Sequence, residues 1–214
     1  MYSPEPVDKK QYSEKFDQMY GRFAKIYDLT VKLFPVWRNW ISQAVPHIRG
    51  PRVLEVSFGT GYLLAQYANQ YQTVGIDYNW ELCCTAGQNL YKDGIRAIIQ
   101  QADIAFLPYR SNSFDTVINT MAFTGYPDGQ QALKEIRRVL KKGGQFVLVD
   151  INYPRDNNWP GTKLTRLWAT TGDIIRDMGA LFEQFEFTYT DEEIGGFGTV
   201  HLYVATKNQI AIYG

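Results

Sequence analysis

The sequence predicts an α/β fold in which a doubly wound, mostly parallel sheet carries helices on both faces. Three observations support this prediction. Short apolar runs that suit buried strands alternate with segments of helical spacing between residues 53 and 151. A glycine turn, Gly59-Thr60-Gly61, follows the first run, and Asp77 ends the second. This succession of strand, glycine turn, helix, strand and acid forms the first half of a nucleotide-binding sheet.

Length and composition favour one domain in a reducing compartment. A chain of 214 residues fits a single domain, residues 1–214. Lys plus Arg and Asp plus Glu both number 22, and this balance predicts no nucleic-acid partner. Cys83 and Cys84 are adjacent, which indicates neither a disulfide framework nor zinc-ligand spacing. No apolar run reaches membrane-spanning length and residues 1–10 carry no signal core, so we expect a cytoplasmic protein.

The N-terminal residues predict two helices before the sheet. Residues 11–33 have helical tendency, and aromatic residues recur there at helical spacing. These aromatic residues either pack on the core or form a lid over the nucleotide. Pro35 breaks this run. Residues 36–48 predict a second helix, whose apolar side faces the core or touches a membrane surface.

The first strand combines apolar residues with one acid. Val53, Leu54 and Val56 suit a strand that is buried on both faces, and Glu55 lies between them. A carboxylate buried there needs a partner. It would repel a pyrophosphate but suits a cationic ligand such as S-adenosylmethionine; alternatively, Glu55 caps local backbone donors. Leu64 stands where a dinucleotide fingerprint has a third glycine or alanine, which counts against NAD.

Polar residues also follow the next three strands. Asp77 ends the second strand, where it accepts hydrogen bonds from a ribose diol or caps a turn. Asp103 follows the third strand, either at the adenine edge or as the cap of a turn or helix. Asn119 lies at the end of the fourth strand, beside the switch point of the sheet, as a ligand contact or a turn residue.

The remaining pattern continues the same alternation. In chain order, the sequence predicts helices over residues 62–71, 80–91 and 128–140, strands over residues 74–76, 97–99, 114–120 and 145–151, helical stretches within residues 163–181, and strands over residues 182–189 and 199–206. Asp128 caps the start of its helix. The glycine-rich residues 191–198 are predicted to form a mobile loop between the last two strands.

Several of these segments resemble class I S-adenosylmethionine-dependent methyltransferases. The segments are residues 53–61, Gly75-Ile76-Asp77, Asp103-Ile104 with Leu107-Pro108, residues 112–115 and residues 132–144. They occur in the family's order over about residues 50–151. Residues 23–28 with Trp37-Arg38 are similar to the N-terminus of the ubiquinone/menaquinone-type and bacterial phosphatidylethanolamine methyltransferases. The family usually has glycine where Ser57 stands.

The resemblance implies a seven-stranded sheet with an antiparallel last strand. It also implies three regions: an N-terminal helical lid over residues 1–48, a cofactor-binding core over residues 49–151, and a substrate-side helix with the last two strands over residues 152–214. The implied cofactor-binding residues are Tyr20, Tyr27, Glu55, Ser57, Gly59, Gly61, Asp77, Tyr78, Asp103, Ile104 and Asn119.

Each of these residues has an implied role. Glu55 and the backbone of the glycine turn would hold the methionine end, and the carbonyl of Asn119 would accept from the ammonium. Asp77 would take the ribose hydroxyls, and Tyr78 would lie against the adenine. Asp103 would accept from the adenine amine, with the Ile104 amide nearby. Tyr20 and Tyr27 would close the site.

The predicted function is methyl transfer from S-adenosylmethionine to a small-molecule acceptor. The aromatic content of residues 12–48 and 153–198 favours an apolar or aromatic acceptor, such as a quinone precursor or a lipid headgroup presented at a membrane. Because methyl transfer depends mainly on alignment, no catalytic residue is assigned. Two alternatives stay open, an NAD(P)-dependent oxidoreductase and a non-catalytic module that binds the cofactor or a partner protein. The sequence identifies neither the acceptor atom nor the oligomeric state.

Overall fold

The computed structural model describes residues 2–14 and 35–208, and its centre is one seven-stranded sheet. The strands are β1 (Arg52–Val56), β2 (Gln72–Asp77), β3 (Ile98–Gln101), β4 (Phe114–Thr120), β5 (Leu140–Ile151), β6 (Phe187–Gly195) and β7 (Val200–Lys207). Their order is β3-β2-β1-β4-β5-β7-β6. The pairings among β1 to β5 are parallel, whereas β7 runs antiparallel to β5 and β6. The predicted mostly parallel sheet with an antiparallel last strand is confirmed.

Helices cover the sheet and help to form two buried clusters. They are α1 (Pro35–Ser42), α2 (Leu64–Tyr67), α3 (Trp80–Lys92), α4 (Gly129–Val139), α5 (Trp159–Thr171) and α6 (Met178–Gln184). Leu54 and Val56 of β1 belong to one cluster and Val53 to the other, because successive strand residues point to opposite faces. Asp128 caps α4 as predicted, since its side chain accepts from the Gln131 N–H at 2.9 Å.

The strand order creates a crevice at one edge of the sheet. From β1 the chain proceeds to β2 and β3 on one side, and then returns to β4 and β5 on the other. Doubly wound sheets bind ligands outside the carboxyl ends of their strands at such a switch point. The glycine turn, Asp77, Asp103 and the loop after β4 meet at this edge because β1 to β4 run in the same direction.

Several predicted boundaries are wrong. The helix predicted over residues 62–71 is the short α2 followed by a 3-10 turn, Ala68–Gln70. Phe182 is a buried residue of α6, so β6 begins only at Phe187. β6 then continues to Gly195, and most of the predicted loop is paired with β7. A short apolar run fits a helix or a strand equally well, which explains the error at Phe182.

The described N-terminal residues, 2–14, form a strap across the carboxyl edge. The Ser3 N–H donates to the Ile175 carbonyl at 2.8 Å, and the Ile175 N–H donates to the Ser3 hydroxyl at 3.1 Å. The Lys9 ammonium lies 2.5 Å from the Asp128 carboxylate. The Tyr12 hydroxyl donates to the Gly172 carbonyl at 2.5 Å. The strap therefore joins the start of α4 to the loop that follows α5.

Within residues 2–14 and 35–208, no helix combines the length and the apolar character needed to cross a membrane.

Candidate cofactor site

Backbone conformation shapes the glycine turn after β1. Ser57, Gly59 and Gly61 have positive φ angles of 57°, 60° and 82°, a region that favours glycine. Ser57 adopts it with its N–H bonded to the Ile76 carbonyl at 2.7 Å. A Cβ on Gly61 would lie 3.1 Å from the Cβ of Ala86, so glycine allows α3 to approach closely.

Phe58 does not obstruct the turn. Its side chain is 6% exposed and belongs to the buried cluster that includes Leu63 and Leu64. The ring therefore points into the core between β1 and α2. The crevice side of the turn is formed by Ser57 and Gly59, which both line a cavity.

Asp77 connects the end of β2 to the glycine turn. One carboxylate oxygen accepts from the Gly59 N–H at 2.9 Å, and the other accepts from the Asn79 N–H at 3.0 Å. The predicted turn-capping role is thus present. Asp77 also lines the cavity, so the same side chain caps the turn and faces the cavity.

The cavity has a volume of about 460 Å³ and extends along the carboxyl edge to the strap. Of the residues predicted to bind the cofactor, it brings together Ser57, Gly59, Asp77, Tyr78, Asp103 and Ile104. Apolar groups from Ile76, Leu82 and Ala102 lie in the same wall. This part of the cavity combines carboxylates with an apolar wall.

Asp103 caps a turn and also lines the cavity. Its side chain accepts from the Ala105 N–H at 2.8 Å and caps the 3-10 turn Ile104–Phe106. It also lines the cavity, together with Ile104 and the half-exposed Tyr78. The cap fixes the position of the carboxylate relative to the end of β3.

Glu55 does not reach the cavity, which corrects the prediction of direct contact with the methionine end. Its carboxyl group is 1% exposed and accepts from the Tyr67 hydroxyl at 2.7 Å. Burial raises the pKa of Glu55 to about 8, so the group is neutral near pH 7. Strand alternation explains the difference, because Glu55 shares the face of Val53, against which α2 packs. Among the described residues, no backbone N–H donates to the Glu55 carboxyl group, so the alternative capping role is also absent.

Asn119 carries a buried acceptor that has no partner among the described residues. Its amide nitrogen donates to the Val56 carbonyl at 3.0 Å and to the Tyr126 hydroxyl at 2.8 Å, but Oδ1 accepts no hydrogen bond. The Tyr126 hydroxyl also lies 2.7 Å from Ser57 Oγ. Asn119 itself does not line the cavity, whereas Tyr126 and Ser57 do. The orphaned oxygen therefore lies just behind the wall and suits a cationic donor.

Sequence reasoning placed some site residues and missed others. Gly61 lies in the turn but not in the cavity wall, and Tyr20 and Tyr27 lie outside the described residues. Asn79, which was not predicted, lines the cavity and caps α3 by accepting from the Leu82 N–H at 2.9 Å. Its position before a helix was a usable signal. Asp173 also lines the cavity, but nothing local in the sequence indicates it.

Known proteins share this sequence pattern. The methyltransferase domain family matches residues 54–148. The phosphatidylethanolamine N-methyltransferase of Cereibacter sphaeroides is 33% identical over 139 residues, which cover 64% of this chain and 68% of the relative. The ubiquinone/menaquinone biosynthesis C-methyltransferase of Geotalea uraniireducens (strain Rf4) is 31% identical over 153 residues, 66% of this chain and 65% of the relative. The chain thus spans about two thirds of the length of these relatives.

Solved structures share the fold. A SAM-dependent methyltransferase from Thermotoga maritima has a TM-score of 0.71 at 17% identity, with 89% of this chain and 99% of the other covered. The [4+2]-cyclase SpnF has a TM-score of 0.72 at 18% identity, with 96% and 99% covered. The cyclase illustrates that the fold alone does not determine the reaction. The match to the methyltransferase domain family and the identity with the phosphatidylethanolamine N-methyltransferase show the family. This chain belongs to the S-adenosylmethionine-dependent methyltransferase family.

The described residues fit S-adenosylmethionine, the methyl donor of this family. The carboxylates of Asp77 and Asp103 and the apolar wall between them suit a nucleoside, and the orphaned oxygen of Asn119 suits an ammonium. The family assignment disfavours the NAD(P)-dependent oxidoreductase. Within residues 2–14 and 35–208, no group of three or more His, Cys, Asp or Glu side chains could hold a metal ion.

Proposed function

We propose that this chain transfers a methyl group from S-adenosylmethionine to a small-molecule acceptor. One observation carries the proposal: the Asp77 carboxylate, bonded to the Gly59 N–H, lines a cavity at the switch point of the sheet. The bound donor supplies an electrophilic methyl carbon. The chain contributes binding, exclusion of water and alignment, and alignment can supply up to roughly 7–11 kcal/mol of the barrier.

The donor half of the cavity consists of the lining residues that follow β1, β2 and β3. In this half, Asp77 would accept hydrogen bonds from the ribose hydroxyls and Tyr78 would lie against the adenine. Asp103 would accept from the adenine amine. These assignments follow the order of the strand ends along the sheet, β3-β2-β1, which directs the methionine end toward Ser57 and the end of β4.

The acceptor half consists of the lining residues that follow β4, with Asp173 and the strap. Met121, Ala122, Tyr126 and Pro127 give this half an apolar and aromatic wall. We therefore propose an apolar or aromatic acceptor, either a quinone precursor or a lipid headgroup presented at a membrane. The names of the two relatives, an N-methyltransferase of phosphatidylethanolamine and a C-methyltransferase of ubiquinone/menaquinone biosynthesis, support these two classes.

The proposed compartment is the cytoplasm. Both cysteines are free, and Cys83 is buried whereas Cys84 is exposed. An exposed free thiol persists most readily in a reducing compartment. The zero formal net charge supports a small-molecule acceptor over a nucleic acid.

Calorimetric titration with S-adenosylhomocysteine tests donor binding directly. We expect saturable one-site binding by the folded protein and none with NADH. Methyl transfer is then measured with isotopically labelled donor against two acceptors, vesicles that contain phosphatidylethanolamine and a soluble demethylated menaquinol analogue. Labelled product from either acceptor supports the proposal.

Three results would contradict it in different ways. Failure to bind S-adenosylhomocysteine at millimolar concentration removes the cofactor assignment. Binding of NADH instead supports the oxidoreductase. Binding of S-adenosylhomocysteine without any labelled product supports the non-catalytic module.

A further inference from the structure

Behind the acceptor half of the cavity, one hydroxyl joins the cavity-lining Asp173 to a second, buried carboxyl group. Thr124 Oγ1 lies 2.8 Å from Asp173 Oδ1 and 3.1 Å from Asp150 Oδ1. A hydroxyl has one proton to donate. If both contacts are hydrogen bonds, Thr124 donates in one, and a protonated carboxyl group donates in the other. The geometry therefore suits a pair of carboxyl groups that holds one proton, on Asp150 or on Asp173.

The remaining contacts of Asp150 hold its carboxyl group in place. Asp150 accepts from the Thr124 N–H at 3.0 Å and from the Ile151 N–H at 2.7 Å. It is 3% exposed. Burial raises the pKa of Asp150 to about 6, although its backbone hydrogen bonds oppose this, and the nearby charge of Asp173 adds to the rise. Asp150 is thus a fixed partner inside the protein.

Asp173 is the member of the pair that faces the cavity. Its second oxygen lies 3.1 Å from the Thr171 hydroxyl, which also lies 2.7 Å from the Trp168 carbonyl. Burial raises the pKa of Asp173, while the hydroxyls of Thr124 and Thr171 oppose the rise. A carboxylate with a raised pKa is a stronger base than an ordinary one and remains able to ionise near neutral pH.

Among the described residues, no charged neighbour forms a salt bridge with Asp150 or Asp173. Arg176 directs its guanidinium to the carbonyls of Phe123 and Tyr126 and to Glu5. Tyr12 lies near enough for the charge of Asp173 to raise its pKa further, after burial. Lys9 and Lys10 line the same cavity, but neither forms an ion pair with Asp150 or Asp173.

The other titratable groups of the acceptor half are poor bases. Burial raises the pKa of Tyr126 beyond its ordinary value of 10.0, so its hydroxyl stays protonated. Burial opposes the shift of Asp128, but hydrogen bonds from Lys9 and the Gln131 N–H keep its pKa below the ordinary value. Asp173 is the carboxylate of this half that combines cavity exposure with raised basicity.

We propose that Asp173 is the general base of the reaction and that the acceptor is a group that loses a proton on methylation, an ammonium or a phenol. This inference rests on the proposed function and adds a catalytic residue to it. The acceptor atom loses its proton, and the electron pair that the proton leaves behind bonds to the methyl carbon while the carbon–sulfur bond breaks and its electron pair stays on sulfur. The acceptor's proton moves to the Asp173 carboxylate and then to water. Thr124 and Asp150 act as positioning residues that share the resident proton.

The first test measures the titration of Asp150 and Asp173 in the absence of methyl transfer. The carboxyl carbons of ¹³C-labelled aspartate are titrated by NMR in the wild type and in Asp173→Asn. We expect the Asp150 titration to move from about pH 6 to lower pH in the variant, because the Asp173 charge no longer raises its pKa. The control is Asp93→Asn, at an exposed position after α3. An Asp150 titration unchanged in Asp173→Asn would overturn the shared-proton arrangement.

The second test measures methylation of whichever of the two acceptors above is a substrate. Asp173→Asn should lower kcat/KM on the order of 100-fold or more, with S-adenosylhomocysteine affinity unchanged. In the wild type, kcat/KM should fall as pH falls through the pKa of the pair, since the carboxylate must be ionised. This decrease, the acidic limb of the pH profile, should be absent in Asp173→Asn.

Variants of Thr124 keep the proposal testable if Asp173→Asn does not fold. Thr124→Val removes a hydrogen bond that lowers the pKa of Asp173, so the acidic limb should move to higher pH, and Thr124→Ser should restore it. Absence of wild-type turnover with both acceptors overturns the proposed function. Turnover in Asp173→Asn with a wild-type rate and pH profile, or an unmoved limb in Thr124→Val, overturns only the role of Asp173.

Discussion

The donor and acceptor halves of the cavity are built in different ways. The donor half uses the ends of adjacent parallel strands, where short stretches of chain carry Ser57, Asp77 and Asp103. The acceptor half takes Asp173 from a distant part of the chain and supports it from behind through Thr124 and Asp150. The order of the strands thus positions the proposed donor residues, whereas the proposed acceptor residues depend on tertiary contacts between distant segments.

This difference predicts separable effects of substitution. Changes in the donor half should alter affinity for S-adenosylhomocysteine, and changes at Asp173 should alter turnover without altering that affinity. The following variants test the donor half and the strand and turn that support it, beginning with the largest expected effect on binding.

Asp77→Ala should weaken S-adenosylhomocysteine binding most. Hydrogen bonds to a charged group contribute roughly 1.5–3 kcal/mol each, and the variant loses those proposed to the ribose as well as the bond to the Gly59 N–H. We expect a loss of about 100-fold in affinity by calorimetry. Asp173→Asn is the matched variant from the acceptor half and should bind normally. Equal losses in the two variants would break the distinction between the halves.

Glu55→Gln should change how stability depends on pH. The pKa of Glu55 is about 8 in the folded protein and its ordinary value is 4.5, so the folded state holds a proton that the unfolded state releases between these values. Wild-type stability should therefore fall as pH rises from 4.5 toward 8, by at most about 1.4 kcal/mol per pH unit. The neutral glutamine should remove this component, which amounts to about 2 kcal/mol of relative stabilisation by pH 6 and continues to grow toward pH 8.

Urea unfolding of both proteins at a series of pH values measures this difference. Glutamine keeps an oxygen that can accept from Tyr67, so packing is conserved. If the unfolding free energies of the wild type and Glu55→Gln change with pH in parallel, Glu55 is ionised in the folded state. It would then count as a charged residue near the donor.

The positions of Asp77 and Glu55 show what the sequence can predict and what it cannot. Asp77 ends a strand, and the ends of parallel strands lie at one edge whatever else the chain does. Glu55 lies inside a strand, and its direction depends on which face α2 covers. Because Tyr67 of α2 lies on the face of Glu55, the carboxyl group is buried there. The sequence pattern gave its position in the strand but not its partner.

Asp173 could not be predicted for a different reason. Its importance arises from contact with Thr124, which in turn contacts Asp150. No periodicity or turn signal connects residues so far apart in the chain. Likewise, Phe182 and Phe187 both look like strand residues locally, and only packing separates the end of α6 from the start of β6.

Gly61→Ala tests whether backbone conformation shapes the donor half. Alanine at φ 82° is strained, and its Cβ would lie 3.1 Å from that of Ala86. We expect a loss of roughly 1–2 kcal/mol of unfolding free energy, measured with urea. Gly87→Ala is the matched control, because a Cβ there meets nothing within 4 Å and should stabilise α3 by roughly 0.5–1 kcal/mol. A neutral Gly61→Ala would contradict the close approach of α3 to the turn.

Ser57 offers the smallest effect and the finest separation of conformation from hydrogen bonding. Its φ of 57° costs a residue with a side chain roughly 1–2 kcal/mol, while its hydroxyl lies 2.7 Å from the Tyr126 hydroxyl and contributes about 1 kcal/mol. Ser57→Ala loses the hydrogen bond and keeps the strain, so it should be less stable by about 1 kcal/mol. Ser57→Gly loses both and should be close to neutral.

The difference in urea unfolding free energy between these two variants isolates the strain, because both lack the hydroxyl. A difference near zero would mean that the turn accommodates a side chain at no cost, and the family's usual glycine would then need another explanation. S-adenosylhomocysteine affinity should stay within about threefold in Ser57→Gly, since the backbone that faces the cavity is retained. A larger loss would show that the hydroxyl itself contacts the donor and would add the Ser57 side chain to the groups of the donor half that bind it.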